Sequence, residues 1–328
     1  MKQRLLHFTY QYGALVFIGL VVLFFSLYNE YFFTYSNLTD ILRAISIVTL
    51  VGIGVTISLM VDGFDLSVGA TMSLATVVTA SLMVWYEMPL AVVLIVPLLV
   101  GAAVGLLNAF LIVKIRIPDL LATLAVMYII TGIHKTYSRG YSIYNHMPMR
   151  DGSTAPGVML DSFLWIGQGK LLGVPFPVIL MAIAVIGAHV FFKYTRWGRQ
   201  MIMTGGNEEA ARLSGLRVKR VRVAAYIASG VFAAAGGILF AARVGSGQID
   251  AGAPYLMESV AAVFIGYSVF AAGRPNIIGT FFGAVLVGVL VNGLTMMNVQ
   301  YYAYDIVKGA ILVLALAVTF VQTRRQKA

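Results

Sequence analysis

The chain reads as an all-α polytopic membrane protein, and three observations carry that reading. Of its 328 residues, 60% are hydrophobic and 11% charged, whereas about a quarter of a soluble domain is charged; the mean hydropathy is +0.89. The apolar residues gather into ten runs, each near the roughly 20 residues a helix needs to cross a bilayer. The basic residues stand at the ends of those runs. The net charge of +10 therefore reflects membrane topology, with lipid as the surrounding partner and no nucleic acid. We take residues 1–328 as one transmembrane domain.

In order, the runs lie at about 12–27, 41–61, 66–85, 90–113, 120–137, 174–192, 223–242, 257–272, 277–298 and 306–321. Lys2 and Arg4 precede the first run, which places the amino terminus in the cytoplasm. Alternation then puts Lys114 and Arg116, the stretch from Lys193 to Arg222, Arg274, and the tail Arg324-Arg325-Gln326-Lys327 on the same side. Ten spans leave both termini cytoplasmic, and an odd number would strand the basic tail outside. The first run has the basic lead of a secretory signal. However, Tyr28, Asn29, Glu30 and Tyr31 follow it where a small-residue cleavage site would stand, so it reads as a retained anchor. Residues 138–173, rich in Gly, Pro, Ser and Tyr, read as an extracytoplasmic surface loop with short helical pieces. A weak internal repeat is visible: Gly101-Ala102, Gly105 and Asn108-Ala109 are echoed by Gly283-Ala284, Gly288 and Asn292-Gly293.

Polar residues inside or beside the runs are the functional candidates, because a membrane makes unpaired charge costly. Asp62-Gly63-Phe64-Asp65-Leu66-Ser67-Val68-Gly69 separates the second and third runs. Two readings stand side by side. In one, the glycines permit an unwound segment facing a cavity or gate, with Asp62, Phe64, Asp65 and Ser67 along it. In the other, this is a tight cytoplasmic turn with Asp65 capping the third helix. Asn108 and Asn292 lie mid-run, where each amide either meets a hydroxylated ligand or ties two helices together. Gly101/Gly105 and Gly279/Gly283 have the spacing that lets helix backbones approach. Asp305 and Lys308, three apart, are expected to satisfy each other.

Catalytic motifs are missing from the sequence. There is no His-Glu-x-x-His, no Gly-x-Ser-x-Gly and no phosphate-binding loop; Gly132-Ile133-His134-Lys135-Thr136 lacks the glycine spacing. With no cysteine there is no thiolate metal site or disulfide. The chain is expected to be a transport subunit and not an enzyme, with no cofactor of its own.

One polar island interrupts the apolar sequence, at 195–222. It holds Arg196-Trp197-Gly198-Arg199, then Gly205-Gly206-Asn207-Glu208-Glu209-Ala210-Ala211-Arg212-Leu213-Ser214-Gly215, then Arg217, Lys219, Arg220 and Arg222. A short charged, helix-prone segment between two spans suits a soluble cytoplasmic partner better than lipid. Asn207 is placed to cap a helix, with Glu208 and Glu209 in its first turn where the dipole favours acids.

The stretch from Gly205 to Leu216 resembles the cytoplasmic coupling segment of ribose-type permeases, the membrane subunits of bacterial ABC monosaccharide importers. Asp65-Leu66-Ser67-Val68-Gly69 is similar to the second half of that family's Gly-Gly-Ile-Asp-Leu-Ser-Val-Gly signature. Phe270 to Gly293, with Gly273-Arg274, Gly279-Thr280 and Asn292-Gly293, follows its glycine-rich late segment. The resemblance implies an inner-membrane permease chain paired with a second one, identical or related. It further implies two ATP-binding subunits that hold ATP and Mg, and an extracytoplasmic solute-binding protein. It assigns coupling to Gly206, Asn207, Glu208, Glu209, Ala210, Ala211, Arg212, Ser214 and Gly215, with the Ala210-Ala211 face in a groove on the ATPase. The sequence departs from the family at Asp62-Gly63-Phe64, Gly266-Tyr267 and Ala272-Gly273-Arg274-Pro275. If these positions line the pathway, the cargo need not be ribose, and an added acid favours polar or cationic solutes. Permeases for branched-chain amino acids or nucleosides, and an ion-coupled secondary carrier using Asp62 and Asp65, are the competing readings.

Overall fold

A computed structural model describes residues 2–149, 151–268, 274–300, 303, 304, 306, 307, 309, 310 and 313. The helices are α1 (Lys2–Tyr28), α2 (Tyr35–Leu59), α3 (Val68–Val84), α4 (Leu90–Ala109), α5 (Asp119–Ser138), α6 (Asp161–Gln168), α7 (Phe176–Tyr194), α8 (Arg196–Gly206), α9 (Glu208–Leu213), α10 (Val218–Val244), α11 (Gly252–Ser268) and α12 (Ile277–Met296). Helix α4 runs on through a π-helical turn at Phe110–Ile115. A small antiparallel hairpin, β1 (Lys170–Leu171) and β2 (Val174–Pro175), precedes α7. Each of the first nine apolar runs falls on a helix, the eighth over its described part up to Ser268. Most of the tenth run, the Asp305–Lys308 pair, Gly273 and the tail Arg324-Arg325-Gln326-Lys327 lie outside the described residues.

The protein is an all-α polytopic membrane protein. Among the described residues, six helices are long and apolar enough to cross a bilayer: α2, α4 with its π turn, α5, α7, α10 and α12. Shorter apolar helices are α3 and the Leu15–Tyr28 part of α1. Helices α2 and α3 are apolar all round and occupy the centre, which is where such a helix can sit without exposing one face. Helices α4, α5 and α7 turn Leu99, Ile129 and Ile186 outward, a surface suited to lipid tails. Inside, hydroxyls close on their own helix or a neighbour: Thr56 donates to the Gly52 carbonyl at 2.7 Å and meets the Thr280 hydroxyl at 2.6 Å.

Glycine permits the closest helix approaches. A Cβ on Gly101 would meet the Gly230 carbonyl oxygen, and one on Gly230 would meet that of Gly101, both well inside van der Waals contact. Helices α4 and α10 therefore touch backbone to backbone. The predicted pair Gly279 and Gly283 likewise lies against the backbone of α11, at Gly266 and Ala262. The echoing glycines of the two halves meet unlike partners: Gly105 meets backbone at Tyr226, while Gly288 meets the Ile45 side chain.

Connections gather at two ends. At one end lie the α2–α3 turn, the start of α5, α8 and α9. At the other, Ile143 bridges Gly247, Gln168 donates to the carbonyls of Ala242 and Arg243, and Lys135 pairs with Asp250 at 2.7 Å.

Two local features go beyond the sequence reading. Residues 138–173 hold the short helix α6 and also bury an apolar face: Ile143, Met147, Ala155, Met159 and Phe163 pack with Val77, Met83 and Ala242. Their irregular spacing among glycine and proline carries no period, so the apolar face is invisible to pattern reading. The island also holds a second helix, α8, and α10 begins at Val218, so Arg222 stands within a helix. Thr195 caps α8 by accepting the Gly198 N–H at 3.0 Å, a threonine that composition alone does not single out.

Replacing Gly101 with Leu should force α4 from α10 and lower stability by about 2 kcal/mol. Leu99→Ala on the outward face should stay within about 0.5 kcal/mol. Thermal unfolding in a detergent micelle separates the two outcomes.

Candidate functional site

The α2–α3 turn is built on Asp62, whose φ of 57° lies in the left-handed region that aspartate tolerates. Asp62 is exposed, Gly63 buried and Phe64 half-buried with its ring 6.3 Å from that of Phe264. Asp65 is fully buried and collects donors from three elements. Its Oδ1 accepts the Ser67 N–H at 2.9 Å, the Ser67 hydroxyl at 2.6 Å and the Asn108 amide at 3.3 Å. Its Oδ2 accepts the Ser229 hydroxyl at 2.8 Å. Asn108 also donates to Ser67 Oγ at 2.8 Å. Donors on every side are what a buried carboxylate requires.

The structure thus brings Asp65, Ser67 and Asn108 together, and leaves Asp62 and Asn292 apart from them. Asp65 does not cap α3; the residue preceding that helix is Ser67, whose side chain makes no cap bond. Asn292 exchanges amide bonds with Asn37, at 2.8 and 3.2 Å, tying α12 to α2. Pattern reading missed Ser229 and Asn37, although a lone polar residue mid-run was the available signal for Ser229.

The coupling candidates form α9 and its flanks. Asn207 accepts the Ala210 N–H at 2.9 Å and so caps α9, with Glu208 and Glu209 in the first turn as expected. Glu209 pairs with Arg212 on the same helix, and Ser214 donates to the Ala210 carbonyl at 2.8 Å. Gly215, with φ of 81°, breaks the chain away toward α10. Ala211 is buried at 2% exposure, so of the alanine pair only Ala210 faces outward; Ala211 anchors α9 to its own chain. Glu208 turns back to Arg222 at 3.0 Å while its side chain stays 57% exposed. The surface also presents Leu213, 79% exposed, and α8 exposes Met203. Leu213 lay inside the island but its exposure follows from which face Ala211 buries.

Three further residues join this end. Arg222 Nη2 lies 2.6 and 2.9 Å from the two oxygens of Asp119, the first residue of α5. Tyr226 donates to Asp119 Oδ2 at 2.6 Å. Among the described residues, no group of three or more His, Asp or Glu side chains is placed to hold a metal ion. At the opposite end Trp85, Tyr86, Tyr137, Arg139, Tyr141 and Tyr144 line a cleft of about 930 Å³.

Six helices long and apolar enough to cross a bilayer, among the described residues, define a multi-pass membrane protein. Comparison gives the family. Residues 37–316 match the family described as branched-chain amino acid transport system / permease component, and the chain belongs to it. It is 35% identical over 305 residues to the ribose import permease protein RbsC of Escherichia coli (strain K12), covering 93% of this chain and 92% of that one. It is 31% identical over 318 residues to RbsC of Bacillus subtilis (strain 168), covering 96% and 95%. The galactose/methyl galactoside import permease protein MglC of E. coli (strain K12) is 31% identical over 327 residues, covering 96% of each. No solved structure matches the chain.

Asp65→Ala should orphan the Ser67 and Ser229 hydroxyl donors and cost on the order of 2 kcal/mol. Asn292→Ala, which unties a less buried pair, should cost less. Denaturant titration of the two purified variants checks the order.

Proposed function

We propose that the chain is the membrane subunit of an ATP-driven importer and forms the pathway for a monosaccharide or similar small polar solute. The observation that carries this is similarity to ribose and galactose import permeases along nearly the full length of both chains. In this reading the ATP and Mg belong to separate ATP-binding subunits, and a solute-binding protein delivers cargo on the outer face. A second permease chain, identical or related, completes the pathway. The membrane is the inner membrane of a bacterium.

Ten spans with both termini cytoplasmic remain our topology. The gathering of the α2–α3 turn, the α5 start, α8 and α9 at one end supports it, because alternation assigns all of these to the cytoplasm. Residues 195–222 then form the cytoplasmic coupling segment and 138–173 the outer segment. A weak internal repeat of the kind transporters use rests on the glycine echo in the sequence alone, since its members meet unlike partners. Gly206, Asn207, Glu208, Glu209, Ala210, Arg212, Leu213, Ser214 and Gly215 form the ATPase docking surface. Asp62, Phe64, Asp65, Ser67 and Asn108 belong to the moving floor of the pathway. The outer cleft, aromatic with Arg139 and serines among its walls, has the mixed lining of a small-ligand site.

The family description supplies a second reading, a branched-chain amino acid permease. Both readings are tested with the assembled importer in lipid nanodiscs, measuring ATP hydrolysis as binding proteins loaded with pentose, hexose or branched-chain amino acid are added. Stimulation by a sugar-loaded protein is expected. Stimulation by the amino-acid-loaded one alone would select the second reading. Uptake that needs a proton gradient and no ATP would mark an ion-coupled carrier.

Leu213→Asp changes an exposed side chain, so the fold should persist while affinity for the ATP-binding subunits falls about tenfold. Co-purification at graded subunit concentrations reads the effect.

A further inference from the structure

Helix α10 carries Arg222, Tyr226 and Ser229, spaced by four and three residues and so on one face. Each reaches an acid on a different element. Arg222 holds Glu208 of α9 at 3.0 Å and Asp119 of α5 at 2.6 Å. Tyr226 donates to Asp119, and Ser229 donates to Asp65 in the α2–α3 turn. The turn itself is pressed onto this row. A Cβ on Gly63 would collide with the Tyr226 hydroxyl and lie 2.7 Å from Asp119 Oδ2, and Thr123 of α5 donates to the Phe64 carbonyl at 3.1 Å. From the other side Gly205 of α8 lies against the Met60 carbonyl.

We propose that Arg222, Asp119 and Tyr226 act as a strut that carries displacement of α9 to the α2–α3 turn. The proposal rests on the importer reading above. Side-chain exposure is 57% at Glu208, 17% at Arg222 and 19% at Asp119. Tyr226 is fully buried. The row therefore leads from water into the protein, where hydrogen bonds strengthen as the dielectric falls. One guanidinium nitrogen contacts both Asp119 oxygens, at 2.6 and 2.9 Å, so the link is short and charge-assisted. Contiguous bonded groups joining two elements are the physical means by which one site biases another. These are positioning residues; none is assigned contact with the solute.

The test uses the full importer in vesicles, with ATP-binding subunits and a sugar-loaded binding protein. Ribose and galactose serve as labelled probes, and sugar imported and ATP hydrolysed are read together. Asp119→Asn and Tyr226→Phe should assemble and hydrolyse ATP as the unaltered protein does. Sugar moved per ATP should fall roughly tenfold in the first and about fivefold in the second. Asp119→Glu, which keeps the charge, should restore most of the ratio. Unchanged ratios in both variants would overturn the strut. So would release of the ATP-binding subunits, or loss of folded protein by gel filtration in both variants, since either makes the row a structural anchor only. An unaltered importer that moves neither sugar would instead overturn the sugar reading itself.

Discussion

Helices α4 and α10 touch at their backbones because Gly101 and Gly230 each leave no room for a side chain, and Gly105 does the same against the Tyr226 carbonyl. Lipid tails are as apolar as leucine, so this association draws on van der Waals contact and internal hydrogen bonds instead of the hydrophobic effect. Much follows from that one approach. Asn108, one turn beyond Gly105, comes within reach of Ser67 and Asp65, and Ser229, beside Gly230, reaches the same carboxylate. Tyr226 is held where its hydroxyl meets Asp119. A wider helix pair would leave a buried acid short of donors in surroundings where nothing else supplies them.

The α2–α3 break shows how much of this was legible. Asp65 and Ser67 were visible as polar residues between two apolar runs, and the need for partners follows from burial. Which partners could not be read, because Asn108 and Ser229 lie 43 and 164 residues away and neither run reveals its rotation about its own axis. The helix positions were legible because apolar length is a strong signal in a membrane chain. The 138–173 segment was not, since its buried residues follow tertiary packing and no fixed period. Helix α9 was the most readable element of the site: Asn207, Glu208 and Glu209 give a cap and two dipole-favoured acids from local chemistry alone. The outward face was misassigned because Ala210 and Ala211 are chemically alike, and only contact with the bundle distinguishes them.

Charge on α9 is spent mostly within the chain. Glu209 closes on Arg212, and Glu208 on Arg222. Exposed ion pairs contribute little to stability by themselves, so their value lies in geometry. They stiffen a six-residue helix that would be marginal alone. What remains for a partner is a small apolar patch, with Leu213 the most exposed large side chain on the helix.

The two ends of the molecule are built differently, and the difference bears on how it works. At the α9 end, ionic groups link four elements in sequence, from Glu208 through Arg222 and Asp119 to the turn packed on Tyr226. At the other end the ties run mainly to backbone, as between Ile143 and Gly247 or from Gln168 to Ala242, and fix one segment onto helix ends. Backbone ties fix one segment onto helix ends, while the ionic row joins separate elements to one another. Breaking a mostly buried pair such as Arg222–Asp119 leaves a charge uncompensated, so the elements it joins are held at a common spacing. That row meets the glycine-bearing turn at the break between α2 and α3, the two most buried helices.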